Sequence, residues 1–188
     1  MDEPLFLGDW FPPDPPDDDD DDWFDLIEDR YPPKDPYLEP DPLRVAIGAN
    51  AVETVQKLLR EGISPNSYDE VTPLLSIASH CGVAEVVRIL LEAGADPNLE
   101  NGENFTPLMF AAQGGHLAVV QNLISAGANI YAVNDHGGNA LSMAAWGGQI
   151  EMVEYLLPLA SEEDLKYADY YRKLAYKKRL ERDETKVV

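Results

Sequence analysis

Apolar positions in the middle of this chain recur as stripes at helical spacing. Val86, Val87, Ile89, Leu90 and Leu91 make one stripe. Val119, Val120, Leu123 and Ile124 make a second, and Met152, Val153, Leu156 and Leu157 a third. Separations of three and four residues place each set on one side of a helix. Ahead of every stripe stands a shorter alanine-bearing run, centred on Ile77-Ala78, Ala111-Ala112 and Ala144-Ala145, and a glycine (Gly82, Gly115, Gly148) parts the two runs. The copies open alike, on Val71-Thr72-Pro73-Leu74, Phe105-Thr106-Pro107-Leu108 and Gly138-Asn139-Ala140-Leu141. The first two close alike, on Gly94-Ala95-Asp96-Pro97-Asn98 and Gly127-Ala128-Asn129. Thr72, Thr106 and Asn139 are 34 and then 33 residues apart. A fixed period of that size predicts an array of helix–turn–helix units that bury their faces only by stacking.

The polar and apolar pattern also predicts what lies at the ends of the array. Residues 43–66 read as a first, worn repeat. Leu43 to Ile47 form its first helix, Val52, Val55, Leu58 and Leu59 its second, and Glu61 to Asn66 its closing turn. An end repeat departs from the pattern because one of its faces meets solvent. After Leu157 the pattern stops at Pro158. Ser161-Glu162-Glu163-Asp164 then has the form of a capping box. A helix is predicted over 162–182, with Leu165, Ala168, Tyr171 (or Tyr170), Leu174 and Ala175 on one stripe and a basic opposite face.

The repeated stretch resembles the ankyrin repeat family over residues 43–160. The middle copy carries the resemblance best, with Thr106-Pro107-Leu108-Met109-Phe110-Ala111-Ala112, Gly115-His116-Leu117, Val119-Val120 and Gly127-Ala128-Asn129. The resemblance implies an all-α solenoid of helix–turn–helix units with β-turn fingers. Four repeats are expected, over 43–67, 68–100, 101–133 and 134–160, followed by the C-terminal helix of 161–188. It also implies that the threonine hydroxyl caps the first helix and that the proline sits in its first turn, a fit for Thr72-Pro73 and Thr106-Pro107. Asn139 can cap as well. Three departures stand out. The family's turn glycine is present as Gly137, is Asn104 in the middle copy, and is Glu70 in the first, where positive φ is poorly tolerated. One residue too many appears between the helices of the first copy, around Ser79-His80-Cys81. The family histidine is replaced by Leu75, Met109 and Ser142, and His116 keeps a structural family position.

Residues 1–42 carry no such pattern. They hold 10 of the 15 prolines, an unbroken aspartate run over 17–22, and 16 acidic against 2 basic side chains. Proline and like charge together oppose a core. Aromatic residues interrupt the acid, and Asp9-Trp10-Phe11 recurs as Asp22-Trp23-Phe24. Trp23, Leu26, Ile27 and Tyr31 share one helical face, which predicts a short amphipathic helix over 23–31 that orders on contact. Trp10, Phe11, Trp23, Phe24, Leu26 and Ile27 are the docking residues this reading selects.

Composition narrows the function. The 188 residues carry 35 acidic and 14 basic side chains, a net charge of −21. A direct nucleic-acid binder needs a basic footprint. The single cysteine, Cys81, rules out an internal disulfide and fits a reducing compartment. The apolar runs fall short of a membrane span, and the first residues lack the positive start of a signal peptide. A soluble, intracellular monomer is expected, cytoplasmic with the nucleus as the alternative. No catalytic constellation, metal set or cofactor loop is recognisable, so an enzyme is not expected. The resemblance implies a partner-binding groove formed by the fingers and the exposed side of the first helices. Carried over by position, it selects Tyr68, Asp69, Val71, Ser79 and His80, then Gly102, Glu103, Phe105 and Gln113, then Asp135, His136, Gly138 and Trp146. Trp146 stands where the family has a polar residue and is the strongest single choice, since aromatics dominate hot spots. The expected partner is a protein with a basic surface, met by an adaptor or inhibitor. Two alternatives are an autoinhibitory acidic tail, and an acidic mimic of nucleic acid that blocks a basic binding protein.

Overall fold

The computed structural model describes residues 41–69 and 72–185, with side chains through Asp183. The tail helix expected over 23–31, the tail docking residues Trp10, Phe11, Trp23, Phe24, Leu26 and Ile27, and the finger residues Glu70 and Val71 lie outside them. In chain order the helices are α1 (Pro42–Gly48) and α2 (Val52–Arg60), α3 (Leu74–His80) and α4 (Ala84–Glu92), α5 (Pro107–Gly114) and α6 (Leu117–Ser125), α7 (Ala140–Trp146) and α8 (Ile150–Leu156). Short α9 (Glu162–Leu165) and long α10 (Ala168–Thr185) follow a 3-10 turn at Leu157–Leu159. The first helices α1, α3, α5 and α7 stack in one layer and the second helices in another. The core lies between the layers. Val86, Val87, Leu90, Val119, Val120, Leu123, Val153 and Leu156 are buried there, as the stripes predict.

The helix starts show why the copies differ. Asp41 caps α1, its Oδ1 accepting from the amides of Leu43 (2.8 Å) and Arg44 (3.0 Å), so the first repeat begins two residues ahead of the expected boundary. Thr106 caps α5 from the Met109 amide (3.4 Å), with Pro107 in the first turn. Asn139 caps α7 in a reciprocal box, taking the Ser142 amide (3.0 Å) while the Ser142 hydroxyl takes the Asn139 amide (2.9 Å). The first Thr-Pro-Leu motif behaves differently. Thr72 does not cap a helix. Thr72–Pro73 forms strand β2, antiparallel to β1 (Tyr68–Asp69), with Tyr68 opposite Pro73 and Asp69 opposite Thr72. Pro73 itself takes the N-cap place of α3, without a side-chain bond. Pro73, Thr106 and Asn139 are therefore the equivalent residues, and each stands nine before its glycine (Gly82, Gly115, Gly148). The extra residue expected between the helices near His80 is not there. The first finger is one residue shorter, and the motif is displaced by one.

The C-terminal segment is two helices, not one. Ser161 caps α9 by accepting the Asp164 amide (3.1 Å), and the chain turns at Lys166 and Tyr167 before α10 begins. Leu165 consequently leaves the expected stripe and is 48% exposed, whereas Tyr171 and Ala175 are buried against the last repeat. Asp164 joins the pieces. Its carboxylate accepts from Asn139 Nδ2 (3.0 Å), the Ser161 hydroxyl (2.7 Å) and the Tyr171 hydroxyl (3.5 Å). Burial and the Asp164 charge push the Tyr171 hydroxyl up to about 12. An asparagine at the α7 cap has an amide to spare for this bond, which a threonine lacks. Asp164→Ala leaves that buried amide without its acceptor and is expected to cost about 1–3 kcal/mol. Urea unfolding of the full chain checks this, and a midpoint equal to that of the parent refutes the role.

Candidate partner-binding face

The face in question is built by the outward side of the first helices and the fingers beside them. Each finger is organised by one side chain. Asn101 Oδ1 accepts from the amides of Glu103 (3.0 Å) and Phe105 (2.9 Å), and Asn134 Oδ1 from those of His136 (3.0 Å) and Gly138 (2.7 Å). The turn between is completed by positive φ at Asn104 (59°) and Gly137 (74°). Asparagine and glycine are the residues that tolerate this backbone. The two fingers are tied together by the Asp135 amide on the Glu103 carbonyl (3.2 Å) and by Asn104 Nδ2 on Asp135 Oδ1 (2.5 Å). In the first finger, Asp69 instead pairs with Arg44.

This scaffold brings most of the expected residues onto one face. Tyr68 is exposed and its hydroxyl donates to the Glu100 carbonyl (3.4 Å). His80, Gln113 and Trp146 occupy the same place on α3, α5 and α7, and each is half-buried. Burial, followed by the nearby His116, holds the His80 imidazole below the usual histidine range. Phe105 packs on Phe110 (ring centroids 5.5 Å apart), His80 meets Phe110 edge-on (6.2 Å), and His136 lies against Phe105 (6.1 Å). Glu103 is half-buried, and Asp135 and His136 are exposed, with His136 Nε2 3.8 Å from Glu103 Oε2.

Ser79 is a correction. It is 0% exposed, its hydroxyl donating to the Leu75 carbonyl (2.7 Å), and so offers nothing to a partner. The register explains why: Ser79 is equivalent to Ala112 and Ala145, both buried. Phe110, equivalent to Ile77 and Met143, lies beneath the face at 6% exposure and supports Phe105, a role that residue-by-residue transfer missed. Gly138 is buried as well.

Bonds from repeat to repeat hold the face in shape. His116 Nε2 donates to the His80 carbonyl (2.9 Å), and Gln149 Nε2 to the Gln113 carbonyl (3.0 Å). Arg182 of α10 donates to the Gly147 carbonyl (2.5 Å), one residue past the equivalent of His80 and Gln113. Helix α10 thus ties itself to the end of α7 by a side-chain bond of its own. It also lays Lys178 Nζ 4.7 Å from the centroid of the Trp146 ring. Arg172 pairs with Glu154 (2.7 Å) and Arg179 with Glu151 (3.6 Å) of the last repeat, while Lys178 also meets Glu181 of its own helix (3.2 Å). Four bases of this helix, Arg172, Lys178, Arg179 and Arg182, are thus engaged with the last repeat.

A family model described as ankyrin repeats (3 copies) matches residues 25–101 and 75–169. With stacked helix pairs, fingers and inter-repeat bonds in place, the chain belongs to the ankyrin repeat family. Among curated proteins it is 40% identical over 80 residues to the ankyrin repeat, SAM and basic leucine zipper domain-containing protein 1 of Atelerix albiventris, covering 40% of this chain and 17% of that protein. It is 38% identical over 61 residues to the putative ankyrin repeat protein FPV222 of fowlpox virus (31% of this chain, 8% of that protein). It is 36% identical over 77 residues to alpha-latrocrustotoxin-Lt1a of Latrodectus tredecimguttatus (40% of this chain, 5% of that protein). The chain spans less than a fifth of the length of each of these relatives. Ankyrin repeats are generic protein–protein interaction modules. Among the described residues, no helix is long and apolar enough to cross a membrane.

Proposed function

We propose that this chain is a non-enzymatic adaptor or inhibitor that captures a protein with a basic surface through the face of its first helices and fingers. The acidic, aromatic segment at residues 1–40 adds a second point of attachment. One observation carries the reading. His80, Gln113 and Trp146 repeat at one register position on three stacked helices, each half-buried, and His80 meets Phe110 of the Phe105–His136 cluster. A rigid, regularly spaced row of side chains is what a recognition surface needs, because preorganisation lowers the cost of binding. The net negative charge favours encounter with a positive partner and makes that encounter sensitive to salt. The protein acts inside the cell as a monomer, a setting that its lone cysteine fits.

Affinity capture tests this with the full chain, a chain lacking residues 1–40, and a Gln113→Ala/Trp146→Ala variant, at two salt concentrations. The deletion stops at Pro40 because Asp41 caps α1. Each alteration is expected to reduce recovery of the same partner, and higher salt to weaken the complex of the full chain more than that of the shortened one. Equal recovery by all three proteins sinks both site assignments.

A further inference from the structure

We infer that the outward side of α10 docks an acidic amphipathic segment of a partner protein. Tyr176 and Leu180 are the apolar anchors, and Lys173 and Lys177 the bases that meet its carboxylates. This surface is separate from the row of first helices and fingers, and stands or falls without it.

At about 100° per residue, a helix that turns Tyr171, Ala175, Lys178 and Arg182 toward its neighbour turns Lys173, Tyr176, Lys177 and Leu180 away from it. The first set holds α10 to the last repeat. Tyr171 and Ala175 are buried, Lys178 lies against the Trp146 ring, and Arg182 reaches the Gly147 carbonyl. The second set meets solvent. Tyr176 is 59% exposed and Leu180 61%, and among the described residues no other large apolar side chain is more exposed. They stand four residues apart, one turn along the same side of the helix. A helix with one buried side carries polar residues on the opposite one when that side faces only water. Two large apolar groups there mark a surface that is covered by something else.

Each anchor has a lysine three residues ahead of it, Lys173 for Tyr176 and Lys177 for Leu180, and both lysines are exposed. Base and anchor therefore repeat together from one turn to the next. Among the described residues Lys173 has no acidic partner, and Lys177 meets Glu181 of its own helix (3.6 Å). An exposed pair of that kind contributes little and is readily exchanged. The other acids bordering this side, Asp169 and Asp183, are paired with Arg172 (3.5 Å) and Arg179 (3.7 Å).

Charge selects the occupant. Between Arg88 and Lys166 the sequence holds ten acidic residues and no lysine or arginine. A nucleic acid or an anionic bilayer in contact with Lys173 and Lys177 carries its charge well past two lysines, onto that acid. A short acidic segment ends before it. Carboxylates set beside apolar side chains, one turn apart, meet both lysines and cover both anchors at once. Amphipathic segments are recognised through anchors at this spacing. Burial of Tyr176 and Leu180 supplies the affinity, and the lysines select the sign of the partner's charge.

The test is a phage-displayed library of random hexadecapeptides, selected on the full chain and counter-selected on a Lys173→Gln/Lys177→Gln/Leu180→Ser variant. The recovered peptides are expected to be rich in aspartate and glutamate beside apolar residues. Synthetic copies, followed by fluorescence anisotropy, should bind the variant about tenfold more weakly than the parent. Copies with asparagine and glutamine in place of the acids should lose a similar factor on the parent. Tyr176→Ser weakens binding without a change of charge. Lys57→Gln/Arg60→Gln removes as much positive charge from exposed positions of α2 and leaves binding unchanged. All the altered side chains are exposed, and circular dichroism confirms that each variant is folded. Neutral copies that bind the parent equally well overturn the proposal, as does a selection that yields no peptide able to tell parent from variant. A single-stranded RNA or phosphatidylserine vesicles bound by the parent and not by the variant, with no peptide selected, overturn the choice of occupant. Deletion of residues 1–40 should leave peptide affinity unchanged, and an affinity that rises tenfold on deletion overturns a partner as the occupant.

Discussion

Leu123→Ala is expected to lower the unfolding free energy of the full chain by about 2–5 kcal/mol. Leu123 lies on α6, is 0% exposed, and belongs to the core that runs between the two helix layers. Removing its isobutyl group costs the transfer energy of the lost carbons and leaves a cavity between stacked repeats. Alanine-rich first helices close on their neighbours and have little freedom to collapse into that space, which places the effect in the upper part of the range. The repeats are stabilised chiefly by nearest-neighbour interfaces, so the loss is felt on both sides of the altered repeat. Urea titration followed by far-ultraviolet circular dichroism measures it. Leu117→Ala on the same helix is the control, because Leu117 is 44% exposed. It should change stability by no more than about 0.5 kcal/mol. A Leu123 variant as stable as that control contradicts the assignment of the core.

That core was legible in the sequence because stripes at three- and four-residue spacing leave little choice. Val86, Leu90, Val120, Leu123, Val153 and Leu156 all face inward as their spacing demands. Register was harder to read. Thr72-Pro73-Leu74 looks identical to Thr106-Pro107-Leu108, and identity of side chains invites alignment. The glycines carry better information. Gly82, Gly115 and Gly148 all hold positive φ (69°, 74° and 66°), a backbone constraint that fixes the turn between helices, and they are evenly 33 residues apart. Measured from them, Pro73 falls at the cap and Ser79 falls among the buried alanines. The displacement of the first motif was therefore present in the sequence, in the residues whose role is conformational.

The candidate face was legible in outline for the same reason: a position on a first helix recurs with the repeat. What sequence could not supply was contact between distant segments. Trp146 reads as an unsatisfied anchor until α10 is seen to bring Lys178 to its ring. The sequence gives α10 only a basic face, and the partners of Arg172 and Arg179 on it are Glu154 and Glu151. Such pairs join residues 18 or more apart through the turn at Lys166 and Tyr167, which no periodicity announces.

Gly147→Ala is expected to cost about 3 kcal/mol, the upper end of what an extra methyl group in a tight contact usually costs. Gly147 ends α7, and a Cβ built there overlaps the backbone carbonyl oxygen of Gln113, with its carbonyl carbon only 3.0 Å away. Main chain cannot turn aside as a side chain can. The same Gln113 carbonyl accepts the Gln149 amide (3.0 Å), so separating the two helices also strains a bond between the third and fourth repeats. Gly147 in turn gives its own carbonyl to Arg182, so the hold of α10 on the array is disturbed as well. Gly114 offers the informative comparison. A Cβ there meets the ring of His116, a side chain able to move. Gly114→Ala should therefore cost less than Gly147→Ala, and Gly102→Ala, with no atom within 4 Å of its Cβ, should cost less than about 0.5 kcal/mol. Urea unfolding of the three variants gives the order directly. If Gly147→Ala is as mild as Gly102→Ala, the close approach of α5 and α7 is wrong, and with it the spacing of the row that carries His80, Gln113 and Trp146.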